Sequence, residues 1–156
     1  MKIQYFTSVY NYERLAKIIF INFLELKNQP NISYSFDAIK ELLVSPALMG
    51  WFLLDNDGNI VGYIVGKKSG TNDGRYVYFI EYIFIVPTFR NKGYGKKMML
   101  ICIKKIMELN IPYIMLITKK VGVANAMYQN LGFLPDSVIK IDNNDYHVLT
   151  YFTNKI

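Results

Sequence analysis

Val86-Pro-Thr-Phe-Arg-Asn-Lys-Gly-Tyr-Gly-Lys96 separates an apolar run from a lysine-rich amphipathic one. The run before it, Val77 to Val86, reads as a strand that stops at Pro87; the run after it predicts a helix from about Gly93 to Leu109. A strand that empties into a glycine turn and then a helix makes an anion site. The glycines let the backbone come close to a ligand and adopt φ > 0. The first N–H groups of the helix have no partner within it, and its dipole favours negative charge there. Successive N–H groups of such a turn converge around phosphate oxygens. The stretch therefore predicts a phosphate-bearing ligand held near Asn91, Lys92, Gly93, Tyr94, Gly95 and Lys96.

Two common phosphate loops do not fit. The sequence has no G-x-x-x-x-G-K-[ST]. Gly93-Tyr94-Gly95-Lys96-Lys97-Met98 lacks the third glycine of the dinucleotide fingerprint, and no acidic residue follows at the expected distance. Arg90-Asn91-Lys92-Gly93-Tyr94-Gly95 instead resembles the R/Q-x-x-G-x-G/A signature of the GNAT superfamily of acetyl-CoA-dependent N-acetyltransferases. Further on, Ala124-Asn125-Ala126-Met127-Tyr128-Gln129-Asn130-Leu131-Gly132-Phe133 is similar to that family's A-x-x-x-Y-x-x-x-G-F segment. Order and spacing of the two fit, and together they span roughly residues 75 to 135.

The resemblance implies an α/β (α+β) GNAT fold: a mixed central sheet of about six to seven strands, splayed at its centre to admit the pantetheine arm, with four helices packed on its faces. It implies acetyl-CoA as cosubstrate, with the pyrophosphate on Asn91 to Lys96 and Arg90 fixing the turn or reaching a phosphate. Ile83, Phe84 and Ile85 would edge the splayed strand, pairing with the arm as an added strand does; a backbone N–H there would also stabilise an oxyanion. Tyr128 would be the general acid that hydrogen-bonds the CoA sulfur, against the plain alternative of helix packing in a chain with 13 tyrosines. In one respect the chain departs from the family: the Asn often found seven positions before this Tyr is Val121 here. Asn125 is the nearby candidate for contact with the arm.

Glu81 stands out without any resemblance. It is the one charged residue within Val77 to Val86, where a carboxylate is costly unless paired or useful. It reads either as a residue on a wet sheet face, paired with Arg75, or as a general base for an incoming ammonium. Its place nine positions before Arg90, where several GNAT enzymes carry a catalytic Glu, favours the base. Cys102, among Met98, Met99, Ile103 and Ile106, reads as a core residue with no His partner. His147 reads as structural or near the acceptor entrance. With one His and one Cys, a zinc site is not expected.

The composition supports one folded domain over residues 1–156, with 52% hydrophobic and 19% charged residues. The single cysteine and the plain Met-Lys-Ile-Gln-Tyr start point to a reducing, cytoplasmic setting. The most apolar stretch, Ile18 to Leu26, is far short of the roughly 20 residues a bilayer span needs, so no membrane is expected. Residues 1–74 hold seven basic and seven acidic residues; residues 75–156 hold eleven and five, so the whole net charge of +6 sits in the half with the phosphate turn. A polyphosphorylated ligand explains that, as nucleic acid would, but no nucleic-acid motif is present.

Apolar spacing and breakers give the order β-α-α-β-β-β-α-β-α-β-β. The helices are predicted over Asn11 to Lys27, Phe36 to Val44 (with Ser35 as N-cap), Gly93 to Leu109 and Ala124 to Leu131. The strands are predicted over Lys2 to Thr7, Trp51 to Leu54, Ile60 to Lys67, Arg75 to Val86, Tyr113 to Thr118, Phe133 to Ile141 and Tyr146 to Phe152. Lys68 to Gly74 is predicted as a loop. The reading is an N-acetyltransferase acting by direct attack of a primary amine in a ternary complex. The alternative is an inactive, CoA-binding sensor or subunit of the same fold. The acceptor, whether polyamine, aminoglycoside-like amine, peptide N-terminus or protein lysine, would be met by Glu25, Asp37, Glu41, Asp142 and Asp145. A homodimer paired through an exposed last strand is compatible with the pattern.

Overall fold

The computed structural model describes residues 1–25, 36–141 and 143–154. In chain order the elements are β1 (Lys2–Phe6), α1 (Tyr12–Glu25), α2 (Phe36–Leu43), β2 (Leu48–Leu54), β3 (Ile60–Gly70), β4 (Tyr76–Ile85), a 3₁₀ turn at Pro87–Phe89, α3 (Tyr94–Glu108), β5 (Tyr113–Lys119), α4 (Val123–Asn130), β6 (Leu134–Ile141) and β7 (Asn144–Phe152). The strands form one sheet in the order β1-β2-β3-β4-β5-β7-β6. Every neighbouring pair is antiparallel except β4 and β5.

The element order matches the sequence reading, with corrections at the ends. β2 starts at Leu48 rather than Trp51, and β3 runs on to Gly70 rather than ending at Lys67. The polar residues Lys68, Ser69 and Gly70 pair with Tyr78, Val77 and Tyr76. Backbone pairing continues there after the apolar signal has ended, as it does on a hairpin wet on one face. The expected loop shrinks to a turn closed by Thr71 N–H on Arg75 O at 2.8 Å and Gly74 N–H on Thr71 O at 3.0 Å. Ser35, the expected cap of α2, and Asp142 lie outside the described residues.

Two clusters of buried side chains cover opposite faces of the sheet. One joins Trp51, Tyr78 and Ile80 to Met98, Met99, Cys102 and Ile106 of α3 and to Tyr128 and Phe133. The other joins Tyr63, Tyr82 and Phe84 to Leu15, Ala16 and Ile19 of α1 and Ile39, Leu42 and Leu43 of α2. β4 thus changes allegiance: Tyr78 and Ile80 face the first cluster, Tyr82 and Phe84 the second. Strict alternation forbids this. The register explains it, because Gly66 is opposite Ile80 whereas Val65 is opposite Tyr82. Glu81 is the extra residue of a β-bulge, and one extra residue inverts the faces downstream of it.

The second feature that shapes the molecule is how little β4 and β5 share. They pair only over Val77–Phe79 and Tyr113–Met115. β5 keeps its pairing with β7 along its full length, Tyr113 to Lys119. Beyond Phe79 and Met115 the β4–β5 ladder stops, and the sheet splays into a V.

Helix ends are set by local chemistry. α3 closes with Asn110 at φ 59°, its N–H on Met107 O at 3.0 Å and Ile111 N–H on Ile106 O at 3.2 Å. α4 closes in the same way: Gly132 at φ 110° bonds Gln129 O at 3.0 Å, and Phe133 N–H bonds Tyr128 O at 3.1 Å. This is the Schellman arrangement, in which the residue after the left-handed one packs back on the last turn. It brings the Phe133 ring to 6.0 Å from that of Tyr128. The Tyr-x-x-x-Gly-Phe spacing is therefore a helix terminator that also fixes the tyrosine.

Candidate functional site

The turn at Arg90–Lys96 has the form the sequence calls for. Asn91 and Gly93 both adopt left-handed backbone, φ 60° and 83°. Gly93 is the N-cap of α3, and no side chain caps it. Arg90 N–H bonds Pro87 O and Lys97 N–H bonds Gly93 O. Between them, the N–H groups of Asn91, Lys92, Gly93, Tyr94, Gly95 and Lys96 have no acceptor among the described residues. Alternating left-handed residues ahead of a helix start turn such N–H groups toward a common centre. Arg90 fixes the turn from the strand side: its Nε donates to Ile85 O at 2.7 Å, and its guanidinium lies 5.0 Å from the centre of the Phe84 ring. A Cβ on Gly95 would come within 3.4 Å of Ile85 Cδ1, so turn and strand end are packed together.

Ile83, Phe84 and Ile85 form the last part of β4, opposite Ile64, Tyr63 and Gly62 of β3, with their other backbone edge on the open side of the V. Glu81 lies where the V begins to open. It is half-buried, and burial raises its carboxyl above the usual 4.5, an effect that the positive charge of Lys67 opposes. The Arg75 pairing considered for it is not formed. Arg75 instead holds Asp73 at 2.9 Å and Asp136 at 2.5 Å. No ion pair or hydrogen bond engages the Glu81 side chain among the described residues.

Beside Glu81 is a cavity of about 440 Å³. Its walls are Ala38, Glu41, Leu42 and Ser45 around α2, Lys67, Phe79, Ile80, Glu81 and Tyr82 of the bulged β3–β4 pair, and Ile117 and Ile141 beyond the gap. Of the acids expected to meet an acceptor, Glu41 lines this cavity. Asp37 and Asp145 are exposed and do not line it, and the Glu25 side chain and Asp142 are outside the described set. Lys67 was not among the expected residues. The isolated Gly66 beside it was the available signal, since a glycine inside a strand marks a bulge or a close approach.

Tyr128 is 4% exposed, and burial pushes its phenol up to about 12. At neutral pH it is a proton holder. Its hydroxyl makes no hydrogen bond to any described residue. The Asn125 side chain is engaged within the protein. Its Nδ2 lies 3.0 Å from both Lys119 O and Lys120 O and 2.9 Å from His147 Nδ1, while its Oδ1 accepts from Gln129 Nε2 at 2.6 Å. The side chain ties the start of α4 to the end of β5 and to β7, and His147 is part of that clamp. Cys102 is fully buried with its thiol pushed up by burial, a core residue as the sequence suggests. Among the described residues no group of His, Cys, Asp and Glu is placed to hold a metal, and no helix is long and apolar enough to cross a membrane.

Comparison with known proteins agrees with this geometry. Residues 12–133 match the model of the acetyltransferase (GNAT) family. No curated protein matches the sequence. Solved structures share the fold at low identity. Arabidopsis thaliana NAA60 in complex with acetyl-CoA aligns with a TM-score of 0.74 at 16% identity, over 99% of this chain and 100% of that one. A chain of the NatC complex bound to Gag peptide and CoA gives 0.74 at 22%, over 97% and 99%. The ribosomal-protein-S18-alanine N-acetyltransferase of Escherichia coli gives 0.73 at 12%, over 99% and 96%.

Proposed function

Because this chain belongs to the acetyltransferase (GNAT) family, we propose that it transfers the acetyl group of acetyl-CoA directly to a primary amine in a ternary complex, with Glu81 as base and Tyr128 as proton donor. One observation carries the reading most: the opening in the sheet has a half-buried carboxylate on one side, held on a bulge, and a turn of six N–H groups where the same strand ends, neither of them with a hydrogen-bond partner among the described residues.

The residues fit the cosubstrate. The N–H groups of Asn91 to Lys96 suit a pyrophosphate, and Lys92, Lys96 and Lys97 add positive charge nearby. The edge of β4 at Ile83, Phe84 and Ile85, beyond the end of its ladder with β5, suits the amide-bearing pantetheine arm, which would bond there as a short strand does. When bound, acetyl-CoA supplies an activated thioester. Glu81, with its proton affinity raised by burial, is suited to take a proton from an ammonium near neutral pH. Tyr128 keeps its proton under the same conditions and serves as a hydrogen-bond donor toward developing negative charge on sulfur. Asn125, with His147, positions α4 and therefore Tyr128. Val121, at the place of the family's frequent Asn, is 86% exposed, so contact with the arm there would be apolar.

Calorimetric titration with acetyl-CoA, followed by CoA-thiol release against pooled amines, tests the reading. Saturable binding and turnover in at least one pool are expected; no binding would overturn it. Tyr128→Phe is expected to lower kcat about 10- to 30-fold, the worth of one hydrogen bond to a charged group of about 1.5–2 kcal/mol, with KM for the amine little changed. A rate within twofold of the parent would remove Tyr128 from the mechanism.

A further inference from the structure

We propose that the acceptor is a small amino-acid-like zwitterion: an amine with an apolar body and an acidic group a few bonds from its amino group. The inference rests on the acetyltransferase reading and adds the identity of the second substrate's chemistry.

The side chains lining the cavity beside Glu81 include three that are charged at neutral pH, at different depths. Glu41 is exposed at the rim, where solvent screens its charge and it contributes little to selection. Inside, Glu81 and Lys67 are both half-buried, one of each sign. Lys67 lies directly opposite Phe79 in the β3–β4 ladder. Directly opposed residues share a face of a sheet, so Lys67, Phe79 and Glu81 all look toward α2. Lys67 is near enough for its field to be felt at Glu81, yet the two do not form an ion pair. The ion pairs among the described residues are those of Arg75. A half-buried cation with no ion-pair partner among the described residues favours a ligand that brings one.

The rest of the lining gives the ligand's body. Phe79, Leu42, Ile117 and Ile141 are apolar, and a volume of about 440 Å³ lies near the small end of ligand pockets, which run from roughly 300 to 1,000 Å³. A polyamine would bring a second ammonium beside Lys67 and be repelled. A peptide with an apolar N-terminal residue would satisfy Glu81 but leave Lys67 facing a neutral amide. A zwitterion meets both charges at once: its ammonium is next to Glu81, its acidic group next to Lys67, and its hydrocarbon part lies against the apolar wall.

The test uses the whole chain with saturating acetyl-CoA and measures CoA-thiol release with leucine, methionine and phenylalanine, with their carboxamides, with spermidine and with a tetrapeptide carrying N-terminal leucine. At least one free amino acid is expected to exceed its carboxamide about tenfold or more in kcat/KM. Lys67→Met should bring that ratio close to one, mainly through KM for the zwitterion, and Lys67→Arg should retain most of it. A thermal melt of each variant separates misfolding from lost recognition. Spermidine, the peptide or a carboxamide as the preferred acceptor would overturn the inference, as would silence from every amino acid or a ratio unmoved by Lys67→Met. In those cases acetyl-CoA still binds and the acetyltransferase reading stands. Absence of acetyl-CoA binding would bring down both.

Discussion

Glu81→Gln is expected to lower kcat by about 10²- to 10³-fold, the range that general-base catalysis contributes, while leaving acetyl-CoA binding intact. Glutamine keeps the size and polarity of the side chain and removes only its basicity. The pH profile tells catalysis from structure. Burial raises the Glu81 carboxyl above 4.5, and Lys67 pulls it part of the way back. Protonated Glu81 cannot accept a proton, so the parent's activity should fall on the acid side at a pH above the ordinary carboxylate range. That limb should disappear in Glu81→Gln and move to higher pH in Lys67→Met, because removing a neighbouring positive charge favours the protonated acid. Stability should change in the opposite sense to activity. The folded state holds this proton more tightly than the unfolded chain, so the Glu81 contribution to stability declines as pH rises from the unfolded value through the raised folded one. At neutral pH the ionised carboxylate is a net cost, and Glu81→Gln should melt no lower than the parent, and slightly higher if anything. A variant that keeps its activity, or one that loses it through a lower melting temperature, would show that Glu81 is not the base.

Gly66→Ala is expected to destabilise the protein by about 3 kcal/mol or more. A Cβ on Gly66 would lie 2.1 Å from Phe79 O and 3.0 Å from Ile80 Cα. Both are backbone atoms within a sheet, and neither can turn aside as a side-chain tip can. For a chain of this size the loss corresponds to a drop of about 6–12 °C in Tm. Whatever folded protein remains should also be less active, since relief of the clash has to shift the strand at the bulge that aims Glu81. Gly70→Ala is the control in the same strand: a Cβ there meets nothing within 4 Å, and the melt should stay close to the parent's. Equal melts for the two variants would show that the bulge is not sterically required.

The phosphate turn and the segment around Tyr128 were legible in the sequence because each is a local device. A glycine in left-handed conformation and an N-cap without a side chain depend on residues a few positions apart. So does the helix terminator at Gly132-Phe133. Glu81 was legible as a charge in an apolar strand, but its surroundings were not. Arg75, six positions away, is the partner that sequence proximity suggests. The long-range pairing of β6 with β7 brings Asp136 to that arginine instead. Position 67 gains its meaning from its register with Phe79, which the local sequence does not reveal. Asn125 was recognisable as a polar residue near the right place, but its bonds to Lys119, Lys120, His147 and Gln129 depend on how three elements meet. Local chemistry can be read along the chain; whatever depends on register and crossing strands cannot.

The narrow end of the V has a mechanical meaning. β4 and β5 are joined over three residue pairs, and Arg75, just ahead of β4, reinforces that end. Its guanidinium lies 5.8 Å from the centre of the Tyr113 ring at the start of β5 and holds Asp136 on β6. The arrangement is that of a pair of tongs riveted at one end, with the two halves of the sheet as its arms. A slight rotation at the rivet would change the span most at the strand ends, Ile85 and Lys119, which lie beyond the ladder. The width of the opening is thus set from the far end of the strands, where Arg75, Tyr113 and Asp136 do not line the cavity.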